Sequence, residues 1–460
     1  HSFPTRRSSD LIVTDSNPLL SLIFKLFSGV LPQQFQFNGI WILCSYVLTA
    51  LFAGLVGWRL THHSLLTLCG TILSLLNPAI LQRALVHDTL TAHWLILAAI
   101  FLFLNDDKRW NLFAWVVLTE VTLLIHIYFL PMIAFIFALQ LIRMIVRKNS
   151  FRRMLLLIIA FSASLFVGYY CWGYAFILPQ SGSFGELSMN LNAFFNPDGT
   201  SKMIGSRSTL PLQYEGFNYW GVGVLVLAAA GIMMCGWHKG KKLIPYIIPT
   251  VLLILIAASN VGYFDLYRVY QIKLSDQLLS LLSIFRSSGR LAWPVYYLVL
   301  FFCLWIMASS SWKRWMRLLI PTVCVLLQLY DLSGFISESA GRFRNPGNEL
   351  AEIPPEFESL LPESVKSLFV SDGEGKEQDA LALFAIDHHL TYNHIANART
   401  IQKVFGGDEL DMSELRCDLV DPVSAYLYLS HDYPEGLHEC AGLQFVPIGS
   451  WMLIYRTEQK

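Results

Sequence analysis

Charge is what this sequence has least of. Of its 460 residues, 14% are Asp, Glu, Lys or Arg, where a soluble domain carries about a quarter. With 54% of residues hydrophobic, that depletion argues against one large aqueous core and for a lipid solvent. No C-x-x-C pair occurs, so zinc-ribbon and thioredoxin-type sites are not expected. No glycine-rich loop follows a strand-like run, so no nucleotide-binding turn is visible. Internal repeats and low-complexity segments are absent. The basic opening does not read as the n-region of a signal peptide, since Asp15, Asn17, Pro18 and Lys25 break the apolar stretch that follows it. Basic residues come as short clusters between apolar runs, as topology determinants do, and nucleic acid is not an expected partner.

What is there is a row of apolar spans. Ten stretches approach the ~20 residues that cross a bilayer: 38–58, 64–80, 89–104, 110–126, 129–146, 154–177, 219–237, 243–258, 291–310 and 317–331. Residues 11–31 are an ambiguous eleventh, broken by Asp15, Pro18 and Lys25. Five alternate short loops hold 14 Lys or Arg, among them Arg59, Lys108, Arg143, Arg147 and Lys241, whereas the longer intervening loops hold 7. The positive-inside rule puts the first set in the cytoplasm. Asp15, loops 81–88, 178–218 and 259–290, and residues 332–460 then share the outer side. The formal net charge of zero conceals a division: residues 1–331 carry 24 basic and 12 acidic residues, residues 332–460 carry 9 and 21.

The expected architecture is an α-helical polytopic membrane domain over 11–331, with about 10–11 transmembrane helices, and a small extracytoplasmic α/β domain over 332–460. In that tail SLFVSD reads as a strand, DALALFAIDHH as a helix and LQFVPIGSWMLIYR as a hairpin. LSDQLLSLLSIF, in loop 259–290, has the spacing of a helix lying on the membrane surface. Cys417 and Cys440 are the only cysteines outside apolar runs, and an oxidising compartment would pair them.

Polar groups gather at the outer span ends rather than at the midplane a transporter would use. They are Asp15; Arg83, His87, Asp88 and His93; His126 and Tyr128; Tyr214, Glu215, Asn218 and Tyr219; Arg268; Arg286 and Arg290. That distribution suits chemistry at a membrane face open to both lipid and water, such as sugar transfer from a polyprenyl-phosphate carrier. A carboxylate takes the acceptor's proton, and arginines stabilise the departing phosphate.

VTDSNPLL, NPAILQRALVHDTLTAHW, HIYF, SMNLNAFFNP, QYEGFNYWGVG and IFRSSGRLAWPVYY together resemble an uncharacterised family of bacterial polytopic membrane proteins in the GT-C glycosyltransferase superfamily. The resemblance runs from residue 11 to about 300 and more loosely through the acidic tail. It implies an inner-membrane glycosyltransferase whose partners are a lipid-linked sugar donor and membrane lipids. Asp15 matches the second acidic position of such enzymes, as an acceptor-side or metal-side carboxylate. Arg83, Arg286 and Arg290 would hold the donor phosphate, and loop 178–218 would cover the site. A divalent cation stays open as cofactor, although no metal-ligand set stands out: His388, His389 and His394 read as a solvated helix end.

Each candidate also has a plainer reading. Asp15 could cap a helix, Arg83 and His87 could anchor headgroups, Glu215 could belong to a packed turn, and Arg286 and Arg290 could pin a loop. The runner-up function is a non-catalytic polysaccharide export or assembly factor with an outer binding domain, and the third is a transporter. The opening HSFPTRRSSD resembles translated sequencing-adapter read-through. It predicts a non-native leader over 1–10, with the first span and the GT-C base lying upstream and the chain as given inactive.

Overall fold

The computed structural model describes residues 17–32, 35–176, 184–236, 240–283, 285–344, 351–371, 375–392, 412–430 and 432–456. The chain divides into two compact units. The larger takes in Gln36–Arg344 and the smaller Asn345–Lys460, with the segment before Gln36 divided between them.

In the larger unit the helices are α1 (Pro18–Lys25), α2 (Asn38–Thr61), α3 (Ser64–Leu75), α4 (Pro78–Val86), α5 (Trp94–Leu104), α6 (Asn111–Ile125) and α7 (Phe129–Val146). They continue as α8 (Phe151–Cys171), α9 (Val222–Met234), α10 (Ile244–Ala258), α11 (Asp276–Ser283), α12 (Trp293–Ala308) and α13 (Arg314–Arg344). Among the described residues six segments are long and apolar enough to cross a membrane: Asn38–Thr61, Ser64–Val86, Phe129–Val146, Phe151–Cys171, Ser288–Ala308 and Arg314–Arg344. Four shorter apolar helices accompany them, at Asp88–Leu104, Asn111–Ile125, Val222–Met234 and Ile244–Ala258. These ten fall where the ten spans are expected, and they fit a multi-pass membrane protein.

The pattern of burial follows from composition. Helix α2 exposes Leu43, Val47, Leu51 and Leu55 in an i, i+4 stripe, while Ser45, Thr49, Ala53 and Val56 face inward. An exposed leucine stripe on a helix this apolar suits contact with lipid rather than water. Helices α5 and α12 are buried on nearly every side, as helices apolar all round must be. At the C-terminal end of α5, buried Asp106 lies 3.5 Å from both Arg143 Nε and Arg147 Nη1. Arg59 Nε donates to Asn105 Oδ1 at 3.4 Å, and Arg153 donates to the carbonyls of Asp107 and Lys108. Three of the basic loops assigned to one face therefore meet one another.

Two features depart from expectation. Loop 259–290 holds helix α11 as anticipated, and also an antiparallel hairpin, β1 (Val261–Phe264) with β2 (Tyr267–Gln271). Helix α13 does not stop at residue 331 but continues to Arg344, so the division between units falls at Asn345 rather than 332. Hydropathy ends there before helix-forming capacity does. Of residues 11–31, only α1 is helical among the described residues.

The smaller unit is a mixed five-stranded sheet of order β4-β3-β5-β7-β6. Its strands are β3 (Ser367–Val370), β4 (Thr391–Tyr392), β5 (Ser424–Tyr428), β6 (Leu443–Ile448) and β7 (Trp451–Arg456), with helices α14 (Glu356–Leu360) and α15 (Gly375–Asp387). Strand β3, helix α15 and the β6–β7 hairpin match the sequence reading. Strands β4 and β5 are additional: β4 has only two residues, and all five residues of β5 are buried, so it lacks the alternation that marks a half-exposed strand. Cys417 and Cys440 are joined by a disulfide with Cα atoms 5.4 Å apart.

Candidate functional site

Three segments far apart in the chain bring one charged cluster together. Asn77 caps α4, its Oδ1 accepting from Ala79 N at 3.0 Å with Pro78 at the first helical position. The register so fixed turns Arg83, in the last turn, inward. Glu215 lies in the 3-10 turn Pro211–Gly216 and Arg290 in the turn Ser288–Ala292 that leads into α12. Glu215 Oε2 accepts from Arg290 Nη2 at 2.6 Å and Nε at 2.9 Å, and Arg83 Nη1 lies 3.0 Å from the same oxygen. Arg83 Nη2 also donates to the Glu215 carbonyl at 3.3 Å. On the other oxygen, Oε1, His87 Nε2 stands at 3.5 Å. Relative exposures of 1%, 3% and 6% for Arg83, Glu215 and Arg290 make this a buried ion cluster.

The cluster is held by rings and by backbone. Arg290 sits over the Tyr128 ring at 4.8 Å and Arg83 over the Trp293 ring at 5.8 Å. The Tyr128 hydroxyl accepts from Ser287 N at 3.0 Å. Asn218 Nδ2 donates to the carbonyls of Gly216 and Gly289, both at 2.9 Å. Those two glycines touch: a Cβ on Gly289 would lie 2.4 Å from Gly216 Cα, and one on Gly216 would lie 2.4 Å from Ser188 O. Only glycine fits either position, so the peptides flanking Glu215 and Arg290 pass in direct contact.

The electrostatics are lopsided. Two guanidiniums share one carboxylate, and a buried cation without a partner costs several kcal/mol. Burial on its own raises the Glu215 carboxyl, but the His87 hydrogen bond and the Arg290 and Arg83 charges outweigh it and hold the group well below the usual carboxylate range. A general base works best with a pKa near the ambient pH, so Glu215 is placed to organise cations rather than to take a proton.

Deeper in the same wall lies His93, fully buried. Its ring packs on Trp293 with centroids 4.5 Å apart, and its Nδ1 is 2.9 Å from the Tyr297 hydroxyl. Asn77 Nδ2 donates to that same hydroxyl at 3.2 Å.

Of the sequence candidates, the structure brings together Arg83, His87, Glu215, Asn218 and Arg290. Arg286 is half-buried one turn before Arg290, and Tyr214 is half exposed beside Glu215. The Asp88 carbonyl accepts from Trp41 Nε1 at 2.9 Å and Thr91 Oγ1 at 2.6 Å, which ties the chain between α4 and α5. His126 Nδ1 accepts from Tyr128 N at 3.2 Å, at the entry to α7. Asp15 lies outside the described residues. Arg83 and Arg290 therefore meet, and their shared partner is Glu215.

Sequence reasoning missed two polar hubs, the buried Asp331 and the half-buried Asp265. Asp331 Oδ2 accepts from Tyr219 OH at 2.8 Å and from Val222 N at 3.0 Å, at the N-terminus of α9. Asp265, at the tip of the β1–β2 hairpin, accepts from Asn192 Nδ2 at 2.6 Å and from Arg207 Nε at 2.8 Å. Polar residues at the edge of apolar runs were the only signal for either. Among the described residues no three His, Cys, Asp or Glu side chains gather as a metal ion would require.

Compared with known proteins, residues 2–333 match the model of one family, described as Domain of unknown function (DUF6311). No curated protein matches the chain. No solved structure matches it either.

Proposed function

The chain belongs to the DUF6311 family, and from that footing we propose that it is a multi-pass membrane glycosyltransferase acting on a polyprenyl-phosphate sugar at the outer membrane face. The observation that carries the reading is the pairing of two buried arginines, Arg83 and Arg290, with a single carboxylate. That leaves uncompensated positive charge where the phosphate of a lipid carrier would sit. In the reaction an acceptor hydroxyl attacks the anomeric carbon, the bond from that carbon to the phosphate oxygen breaks, and the electron pair leaves on the polyprenyl phosphate. Arg83 and Arg290 would stabilise the anion so formed, with His87 at its more open edge. The proton passes to a carboxylate, for which Asp15 is the candidate.

Further support comes from the GT-C resemblance of the motifs that build the cluster. The basic loops gathered around Asp106 suit a cytoplasmic end, and the Cys417–Cys440 disulfide suits a tail in an oxidising compartment. One observation favours the second reading, a non-catalytic export or assembly factor: Glu215 is fully engaged and ionised, so it is not a free base. Membranes carrying the chain are supplied with radiolabelled polyprenyl-phosphate sugar. Incorporation that Arg290→Ala abolishes supports the enzyme. Retention of the labelled lipid without transfer supports the assembly factor.

A further inference from the structure

A chain of hydrogen bonds fixes which nitrogen of His93 carries a proton. Asn77 Oδ1 is committed to the Ala79 N–H, so the Asn77 side chain must turn its NH₂ toward Tyr297. The Tyr297 oxygen thus accepts from Asn77, and its own proton needs an acceptor. Among the described residues that acceptor is His93 Nδ1, at 2.9 Å. Nδ1 is then unprotonated, and the proton of the neutral ring is on Nε2. His93 Nε2 is buried with no hydrogen-bond partner among the described residues, and so is Arg83 Nε. Both side chains pack against Trp293. Buried N–H groups are seldom left unmatched, and here two stand in one wall beside a cluster already rich in donors.

We propose that His93 is a ligand-binding residue, a neutral donor whose Nε2–H takes a phosphoryl oxygen of the substrate that Arg83 and Arg290 attract. This rests on the phosphate-binding reading above and adds to it a specific part: the inner wall, where an uncharged donor reads the oxygen without adding to the charge. Tyr297 and Asn77 are positioning residues, since they act only by setting the tautomer. The acceptor chemistry is common to a lipid phosphate and to free phosphate.

The experiment measures binding of farnesyl phosphate and of inorganic phosphate to the purified full chain in detergent. His93→Phe removes the donor, His93→Gln keeps an N–H near the Nε2 position, and Tyr297→Phe releases the tautomer. A hydrogen bond to a charged group corresponds to about tenfold or more in affinity. The expected order is wild type, then His93→Gln within about threefold, then Tyr297→Phe, then His93→Phe weaker by about tenfold or more. Farnesyl phosphate binding tighter than inorganic phosphate identifies the lipid as the source, and equal binding identifies free phosphate. If Arg290→Ala loses binding while His93→Phe binds as wild type does, the inference on His93 falls and the phosphate reading stands. No binding of either probe to the wild type overturns both. Should His93→Phe not fold, ¹⁵N-histidine spectra of the wild type decide. The Nε2 resonance of His93 moves on adding farnesyl phosphate if it donates, and an unmoved resonance in a protein that binds overturns the proposal.

Discussion

Replacing Glu215 with glutamine removes one negative charge and almost no volume, which isolates the electrostatic part of the cluster. In the wild type the carboxylate oxygen Oε2 is 2.6 Å from Arg290 and 3.0 Å from Arg83. In Glu215→Gln two buried guanidiniums face each other with a neutral amide between them. Breaking a buried pair by removing one partner costs about 3–5 kcal/mol, because the charge left behind is neither solvated nor paired. The control is Glu338→Gln, which breaks an exposed i, i+4 bridge to Arg342 at 2.8 Å and should change nothing measurable. Large chains often unfold irreversibly, so the assay is the fraction left monodisperse after a heat step, read by size-exclusion chromatography. Glu215→Gln should lose that fraction at a markedly lower temperature than either Glu338→Gln or wild type. Adding Arg83→Met to Glu215→Gln should recover part of the loss, since one cation then remains instead of two. Glu215 is depressed on folding, so its contribution is complete above the unfolded value of about 4.3 and is lost as pH falls toward the folded one. On the titration of Glu215 itself, the gap between wild type and Glu215→Gln should therefore close only in acid. A variant as heat-resistant as wild type at pH 7 refutes the view that this carboxylate holds the two arginines.

Three further outcomes are expected. Cysteines introduced at Lys241 and Gly199 should react with a membrane-impermeant maleimide from opposite sides, and labelling from the same side would overturn the orientation. Six thiols should be titratable in the denatured, unreduced chain and eight after reduction; losing the Cys417–Cys440 link should cost the tail about 3 kcal/mol in the chain-entropy model, measured as faster proteolysis of the full chain after reduction. Gly289→Ala should prevent accumulation of folded protein, because its Cβ meets backbone that cannot move aside, at 2.4 Å, whereas Gly205→Ala, with nothing within 4 Å, should express as wild type does.

What the sequence disclosed, and what it hid, follows the range of the physics involved. The apolar helices were legible because hydropathy is a property of consecutive residues. The β6–β7 hairpin was legible from the GS turn between two apolar runs, and the disulfide from the isolation of its two cysteines. The β1–β2 hairpin was not, because its turn residue Asp265 takes a positive φ of 55° without the glycine that usually announces one. The site was half legible. Arg83, Glu215 and Arg290 could each be picked out as polar groups at span ends. That Glu215 answers both arginines could not, since the partners stand 132 and 75 residues away and no periodicity encodes such a contact. His93 shows the same limit more sharply: its protonation is set by Asn77 and Tyr297, the latter 204 residues off.

Those separations also impose a schedule on biosynthesis. At about 5–20 residues per second, roughly 7–26 s pass between the emergence of Arg83 and that of Glu215, and roughly 4–15 s more before Arg290 follows. During the first interval Arg83 waits without its counter-ion. Once Glu215 arrives, the pair can be drawn inward, but Gly216 still lacks Gly289 beneath it. The cluster closes only when the turn before α12 is made, so a chain halted before that point carries Arg83 and Glu215 without Arg290.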